Sequence, residues 1–410
     1  MKTNTNPLLT EAPLSFGEGL GVRLKIAFLT PEYPHPKTGS SGGIGTSIKN
    51  LAIGLLAEGC AVRVLVYGQK EEGIFDDNGI MIQQIKNVKF KGLSWFLTRK
   101  KLERIINHLY VNKAIDLVEA PDWTGITSFI QPQKCPIVIR LNGSDTYFCH
   151  LDHRPVKWNN KFHEKRALQK ADGLISVSQF TADLTNEVFG LQKEFNIIPN
   201  SIDTTLFKKS DSAGLILSSG TRGLLYFGSL IRKKGLLELP LIFNEVIKKN
   251  PEAQLVLVGK DVPDIVSGNP STWAMMQELF TAEALSNVIY LGSVPYPEIK
   301  EHIKMAGLCV FPTFAEALPV SWLEAMALQK PIVASNIGWA KEVITDGVEG
   351  FLVHPNNHKQ YAAKILELLA NPKMQEDFGV AARKKVVATF SVQVVAKQSL
   401  SLYKKVIQLK

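Results

Sequence analysis

Short apolar runs alternate with helix-period stretches along most of this chain, and the alternation stops once and then restarts. It begins with LKIAFLT (24–30), a run that suits a strand buried on both faces. A loop rich in Pro and Gly follows. Ile48, Leu51, Ala52, Leu55 and Leu56 then recur at i, i+3, i+4, i+7 and i+8, which is one face of a helix. Gly59 supplies a stop signal, and AVRVLVYG supplies the next strand. Strand, helix, strand in this order is a parallel βαβ unit. Further strand-like runs are IDLVEA (115–120), PIVIRL (136–141), GLISVS (173–178) and FNIIPN (195–200), with helical patterns over 161–170 and 179–189. The polar stretch 208–222 reads as a linker. After it come LLYFGSL (224–230), QLVLVG (254–259), NVIYLG (287–292), LCVFP (308–312), PIVAS (331–335) and GFLV (350–353), again separated by helices. The C-terminal end reads as helices only. The reading is α/β: two doubly wound parallel sheets, over 24–205 and 206–391, with a C-terminal helix (392–410) that packs back on the first. Ligands in open sheets bind at the carboxyl ends of the strands, so two facing domains define a central cleft.

Length agrees with two domains, since 410 residues exceed one ordinary core. Hydrophobic content of 45% and charged content of 21% are those of a soluble globular protein. The formal charge of +9 admits nucleic acid, an anionic membrane or anionic small substrates as partners. No Lys/Arg block or nucleic-acid-binding motif accompanies it, so nucleic acid is not an expected partner. Cys60, Cys135, Cys149 and Cys309 show no CxxC or zinc spacing, and buried free thiols in a reducing compartment are expected. No apolar run reaches the roughly 18 residues that span a bilayer. Residues 1–23 lack the apolar core of a signal peptide and read as a disordered extension, or as the product of a start codon placed too early. The expected location is cytoplasmic.

Two segments of the second domain carry chemistry. In FPTFAEALPVSWLEAMALQKPIVAS (311–335), Glu316 lies on a loop after a strand, and Glu324 lies about one turn into the next helix. The backbone N–H groups of that helix N-terminus, between the two carboxylates, favour an anion. Two hydroxyl acceptors around a phosphate cradle suit a sugar nucleotide. Glu324 sits among Trp322, Leu323, Ala325, Met326 and Leu328, where a carboxylate needs a partner; the bland alternative is a helix-capping salt bridge. In YFGSLIRKKGLLE (226–238), a strand ends at Gly228, a tight loop holds Arg232, Lys233 and Lys234, and Gly235 begins a helix. That turn suits a diphosphate, although a basic loop by itself is more often merely solvated.

With order and spacing preserved across both domains, the chain resembles a family 4 glycosyltransferase of the GT-B fold, a family that is retaining and metal-independent. The likeness runs from KIAFLT and the G-G-I loop through GSLIRKKG, VLVG, VIYLG, the E-x7-E stretch and GVEGFLVHP, which is nearly everything after residue 24. It implies two Rossmann-like domains and a nucleoside-diphosphate sugar as donor substrate, with no metal and no cofactor. By position, Lys234 holds the donor diphosphate, Glu316 the sugar hydroxyls and Glu324 the ribose hydroxyls. The amides around Ala317, Leu318 and Val320 lie beside the diphosphate, and Gly42 and Gly43 allow close backbone approach in the first domain. Leaving-group stabilisation then falls to Lys234, its neighbours and the helix N-terminus. The chain departs from the family pattern at several points, including Ser201 in place of a glycine at the interdomain junction. Ala317 replaces a frequent glycine. Ser229 replaces an arginine, for which Arg232 is the candidate substitute. Asn142 stands where a histidine usually faces the reaction centre. Asn142 can hydrogen-bond a sugar hydroxyl but cannot take a proton, and in front-face retaining transfer the leaving phosphate takes it.

Arg140 and Asp145 flank Asn142 and are candidates to line the cleft. Cys149, His150, Asp152 and His153 cluster without a recognisable zinc spacing. Asn200 and Asp203 match the family's interdomain junction and serve equally as a turn and helix cap. Residues 86–104 combine seven Lys/Arg with Phe90, Leu93, Trp95, Phe96 and Leu97. That mixture suits an anionic membrane interface and a lipid-linked acceptor; the alternative is an amphipathic helix packed on the first domain. The expected function is hexosyl transfer to a glycan or glycolipid hydroxyl in surface polysaccharide assembly. The rival within the fold is a protein that binds sugar nucleotides without efficient transfer.

Overall fold

The structure, a computed structural model, describes residues 23–39, 41–132, 134–208 and 223–410. The expected N-terminal extension, save Arg23, and the expected linker, save Lys208, lie outside the described residues. Two units divide the chain. The first draws on Met1–His150, Pro155–Pro199 and Val392–Lys410, and the second on Leu151–Arg154 and Asn200–Ser391.

The first unit contains β1 (Lys25–Thr30), α1 (Gly43–Ala57), β2 (Ala61–Tyr67), β3 (Gly73–Asp77), β4 (Ile80–Ile85), α2 (Ser94–Val111), β5 (Leu117–Pro121), β6 (Ile137–Leu141), α3 (Asp145–Leu151), α4 (Trp158–Lys170), β7 (Gly173–Ser176), α5 (Gln179–Phe189) and β8 (Asn196–Ile197). Its sheet has the order β3-β4-β2-β1-β5-β6-β7-β8. Every pairing is parallel except β3 with β4. That hairpin has no counterpart in the strand runs read from the sequence. It turns at Asn78 and Gly79, both at positive φ, the dipeptide that two-residue hairpins favour. The central strands are buried on both faces, as parallel sheets require.

The second unit contains β9 (Leu224–Phe227), α6 (Leu239–Ile247), β10 (Leu255–Val258), α7 (Thr272–Leu279), α8 (Ala282–Leu285), β11 (Val288–Tyr290), α9 (Tyr296–Met305), β12 (Leu308–Phe311), α10 (Val320–Ala327), β13 (Ile332–Ala334), α11 (Ala340–Val343), β14 (Gly350–Leu352), α12 (His358–Ala370) and α13 (Pro372–Lys385). Its sheet, β11-β10-β9-β12-β13-β14, is parallel throughout. The strand order reverses between β9 and β12, which opens a crevice at their carboxyl ends.

The last helix, α14 (Val392–Gln408), belongs to the first unit. Val395, Ala396, Leu402, Tyr403 and Val406 join the core formed by α1, β1 and β2. Close packing there needs Gly54, since a Cβ would lie 2.5 Å from the Val392 carbonyl oxygen.

Candidate functional site

In the second unit, the loops after β9 and β12 meet at the reversal of strand order. After β9 the chain makes a 3-10 turn over Arg232–Lys234, and Gly235 closes it in the left-handed region at φ +72°. Gly235 therefore ends a turn rather than starting a helix; α6 begins only at Leu239. A Cβ on Gly235 would lie 1.8 Å from the Pro312 carbonyl oxygen, so the turn rests directly on the end of β12. The Phe314 and Ala315 N–H groups donate to the Lys233 carbonyl at 2.9 and 3.1 Å, which ties the two loops together. This packing places Lys234 Nζ 3.2 Å from Glu316 Oε1. The same ammonium lies over the end of β9, 3.4 Å from where a Cβ of Gly228 would be. Lys233 is largely desolvated, which pulls its ammonium down, while Glu316 opposes the effect.

Pro319 occupies the N-cap of α10, and no side chain caps that helix. Its first-turn amides thus keep the character of an anion site. The loop before it is held by Asn200, whose Nδ2 donates to the Leu318 carbonyl at 2.9 Å. Asn200 is therefore a loop anchor, whereas Asp203 caps the turn that follows it through Thr205 N at 2.8 Å. Ala317 and Leu318 are buried and Val320 is half-buried, so this segment offers backbone more than side chain. Glu324 is only 4% exposed. Its partner is the Tyr296 hydroxyl at 2.6 Å, not a capping cation. Burial pushes its carboxyl up to about 7, against the pull of the Tyr296 hydrogen bond and Lys234.

Arg232 is not brought to this group. Its guanidinium donates to both oxygens of Asp264, at 2.9 and 2.7 Å, and that pairing holds the Asp264 carboxyl well below the usual range. Ser229 takes part through its carbonyl, which accepts from Tyr226 Oη at 3.0 Å. Neither supplies a second cation beside Lys234.

In the first unit, Asn142 follows β6. Its N–H donates to Asp122 Oδ1 at 2.8 Å and its Nδ2 to the Arg140 carbonyl at 3.2 Å. Asp122, just after β5, is buried, and burial pushes its carboxyl up to about 7. Arg140 does not line an opening. It is buried, donates to both Glu119 oxygens at 2.7 and 3.3 Å, and reaches the Ile198 carbonyl and Ser399; Tyr403 adds a hydrogen bond to Glu119. Asp145 accepts from Asn160 at 2.8 Å. Gly42 and Gly43 start α1, where Glu32 Oε1 accepts from Gly45 N at 2.9 Å. A Cβ on Gly42 would come within 3.3 Å of that carboxylate, whereas one on Gly43 would meet nothing within 4 Å.

Among the described residues, no group of three or more His, Cys, Asp or Glu side chains could hold a metal ion, and Asp152 of the His150 cluster pairs with Arg154 at 3.0 Å. All four cysteines are free and buried. No helix among the described residues is long and apolar enough to cross a membrane.

Two α/β units built on mainly parallel sheets, the second with a lysine, two glutamates and an uncapped helix at its switch point, have the GT-B architecture. A model described as "Glycosyl transferases group 1" matches residues 208–385, and one described as "Glycosyltransferase Family 4" matches residues 41–206. The chain is 26% identical to the alpha-maltose-1-phosphate synthase of Mycolicibacterium smegmatis, over 93% of this chain and all of that one. It is 24% identical to an uncharacterized glycosyltransferase of Methanocaldococcus jannaschii, over 93% and 98%. Among solved structures it superposes on sucrose-phosphate synthase from Thermosynechococcus elongatus with TM-score 0.75 and 18% identity, covering 95% of this chain and all of that one. It superposes on Anabaena HepE in complex with UDP-glucose with TM-score 0.72 and 20% identity, covering 93% and 100%. The chain belongs to the family 4 glycosyltransferases, with the GT-B fold and a nucleotide sugar as donor.

Proposed function

We propose that this protein is a retaining, metal-independent hexosyltransferase that acts on a glycan or glycolipid hydroxyl in surface polysaccharide assembly. The observation that carries the donor half is the meeting of Lys234, Glu316 and the α10 N-terminus at the reversal of the second sheet. Glu316 accepts sugar hydroxyls and Glu324 accepts ribose hydroxyls. Lys234 and the α10 amides stabilise the diphosphate as the bond from C1 to its oxygen breaks. The acceptor oxygen bonds to C1 on the same face, and its proton passes to the departing phosphate. Asn142 hydrogen-bonds a substrate hydroxyl and transfers no proton.

The acceptor half rests on a surface of the first unit. Phe90, Leu93 and Trp95 are exposed, at 58%, 48% and 45%. Trp95 packs on His163, and the aromatic contacts continue through Phe129 and Phe162 to Trp158. Exposed Lys86, Lys89, Lys91, Lys157 and Lys161 accompany them. Arg99, counted in the sequence with the basic stretch, is instead buried against the Gly125 carbonyl. Exposed aromatics among lysines suit peripheral contact with an anionic membrane at its cytoplasmic face, and hence a lipid-linked acceptor.

The test is turnover of UDP-, GDP- and ADP-hexoses with and without lipid-linked and soluble acceptors, with the anomeric configuration of the product read by NMR. A product of inverted configuration overturns the retaining assignment. Binding without turnover for any acceptor supports the rival reading of a sugar-nucleotide binder.

A further inference from the structure

Tyr296 belongs to no motif of the site, yet its hydroxyl is the hydrogen-bond partner of Glu324 Oε1. It opens α9 between Pro295, at the N-cap, and Pro297, which restrict the backbone on both sides of it. Its ring packs edge-on against Phe207 at 6.1 Å. The hydroxyl is thus delivered by one helix to a carboxylate on another, across 28 residues of sequence. A glutamate that receives two ribose hydroxyls must be ionised, because only the carboxylate accepts at both oxygens without donating. Burial of Glu324 acts against ionisation, and the Tyr296 hydrogen bond acts for it. The other groups facing the pair are Lys234, itself paired with Glu316, and Asp203, which faces Tyr296. Burial pushes the Tyr296 phenol far up, so it remains a donor throughout the working range.

We propose that Tyr296 is a positioning residue for donor binding: its hydroxyl fixes Glu324 through Oε1 and favours the ionised carboxylate, presenting Oε2 to the ribose hydroxyls of a nucleoside diphosphate. The proposal rests on the donor-site reading above. Tyr296→Phe removes the oxygen and keeps the ring. A hydrogen bond to a charged group is worth about one pKa unit or somewhat more. Its loss moves the Glu324 carboxyl from about 7 to roughly 8. At pH 7 the ionised fraction then falls from about one half to about one tenth.

The experiment is calorimetric titration of UDP, with GDP and ADP as alternative probes, into the wild type, Tyr296→Phe and Glu324→Gln from pH 6 to 9. Titration of the nucleotide phosphate is common to all three proteins and cancels in the ratios. Tyr296→Phe is expected to bind about fivefold more weakly at pH 7, with the ratio narrowing to about twofold at pH 8 and to near parity at pH 9. Recovery at pH 9 also reports that the variant is folded. A ratio that is the same at every pH marks a merely structural role and overturns the proposal, as does affinity at pH 7 equal to or tighter than wild type. If the wild type binds none of the three probes, or Glu324→Gln binds as the wild type does, the donor-site reading falls and takes this one with it. If Glu324→Gln weakens binding while the Tyr296→Phe ratio stays flat, only the role of Tyr296 falls.

Discussion

Gly235→Ala tests whether close packing of two loops sets the donor site. Two penalties meet at this residue. The first is conformational: φ is +72°, and a non-glycine residue in the left-handed region costs about 1–2 kcal/mol. The second is steric: the new Cβ would lie 1.8 Å from the Pro312 carbonyl oxygen, and backbone cannot rotate away as a side chain does. Relief requires the 3-10 turn to lift off β12 by roughly 1.5 Å, with overpacking adding about 1–3 kcal/mol. Lys234 is the adjacent residue, so that shift is carried into its 3.2 Å pair with Glu316. Gly292→Ala is the control. Its φ is +67°, and a Cβ there meets nothing within 4 Å, so it bears the first penalty alone. At about 2–4 °C per kcal/mol for a unit of this size, Gly292→Ala should melt roughly 2–8 °C below wild type and Gly235→Ala roughly 4–20 °C below. Transfer should fall about 100-fold in Gly235→Ala, the scale of a 1 Å misplacement, and by less than about threefold in the control. Equal melting and equal activity in the two variants would refute the argument that this contact positions Lys234.

Asn142→Ala should leave UDP affinity within about twofold and lower the transfer rate about tenfold, because it removes one hydrogen bond to substrate and nothing from the donor site; calorimetry and steady-state kinetics separate the two. Arg140→Met should destabilise the first unit by about 3–5 kcal/mol in urea unfolding, since it strands Glu119 in the core. Tyr403→Phe, which removes one hydrogen bond to that carboxylate, should cost about 1.5–3 kcal/mol. Asp122 has a folded pKa raised to about 7, above its unfolded value, so the native state binds the extra proton and stability falls as pH rises from about 4 to 7. Asp122→Asn should remove that part of the fall, with the gain over wild type growing between pH 5 and 8; a constant difference across that range contradicts the assignment.

The sheet-forming runs were legible because parallel strands are buried on both faces and therefore continuously apolar: β1, β2, β9, β10 and β12 each lie within a run read from the sequence. The β3–β4 hairpin was overlooked because its strands are mixed in polarity, although Asn78-Gly79 announced the turn. Lys234, Glu316 and Glu324 could be found from spacing because each sits at a fixed offset from a strand end. Side chains recruited from elsewhere in the chain could not. Tyr296 meets Glu324 from another helix, Asp122 meets Asn142 from another strand end, and Glu32 meets Gly45 from the loop before α1. Arg140 and Arg232 mark the opposite limit. Both stand beside site residues in sequence, and both are drawn away by a carboxylate, Glu119 and Asp264, that no local pattern reveals.

The proposed binding place of the nucleoside diphosphate is the divergence of β9 and β12. Hydrogen exchange of the whole protein with and without saturating UDP tests it most directly, because bound phosphate covers backbone amides at a helix N-terminus. Slowed exchange is expected in peptides spanning 228–236 and 313–327, with loss of that protection in Lys234→Ala. Protection that leaves both segments unchanged and appears elsewhere would contradict it.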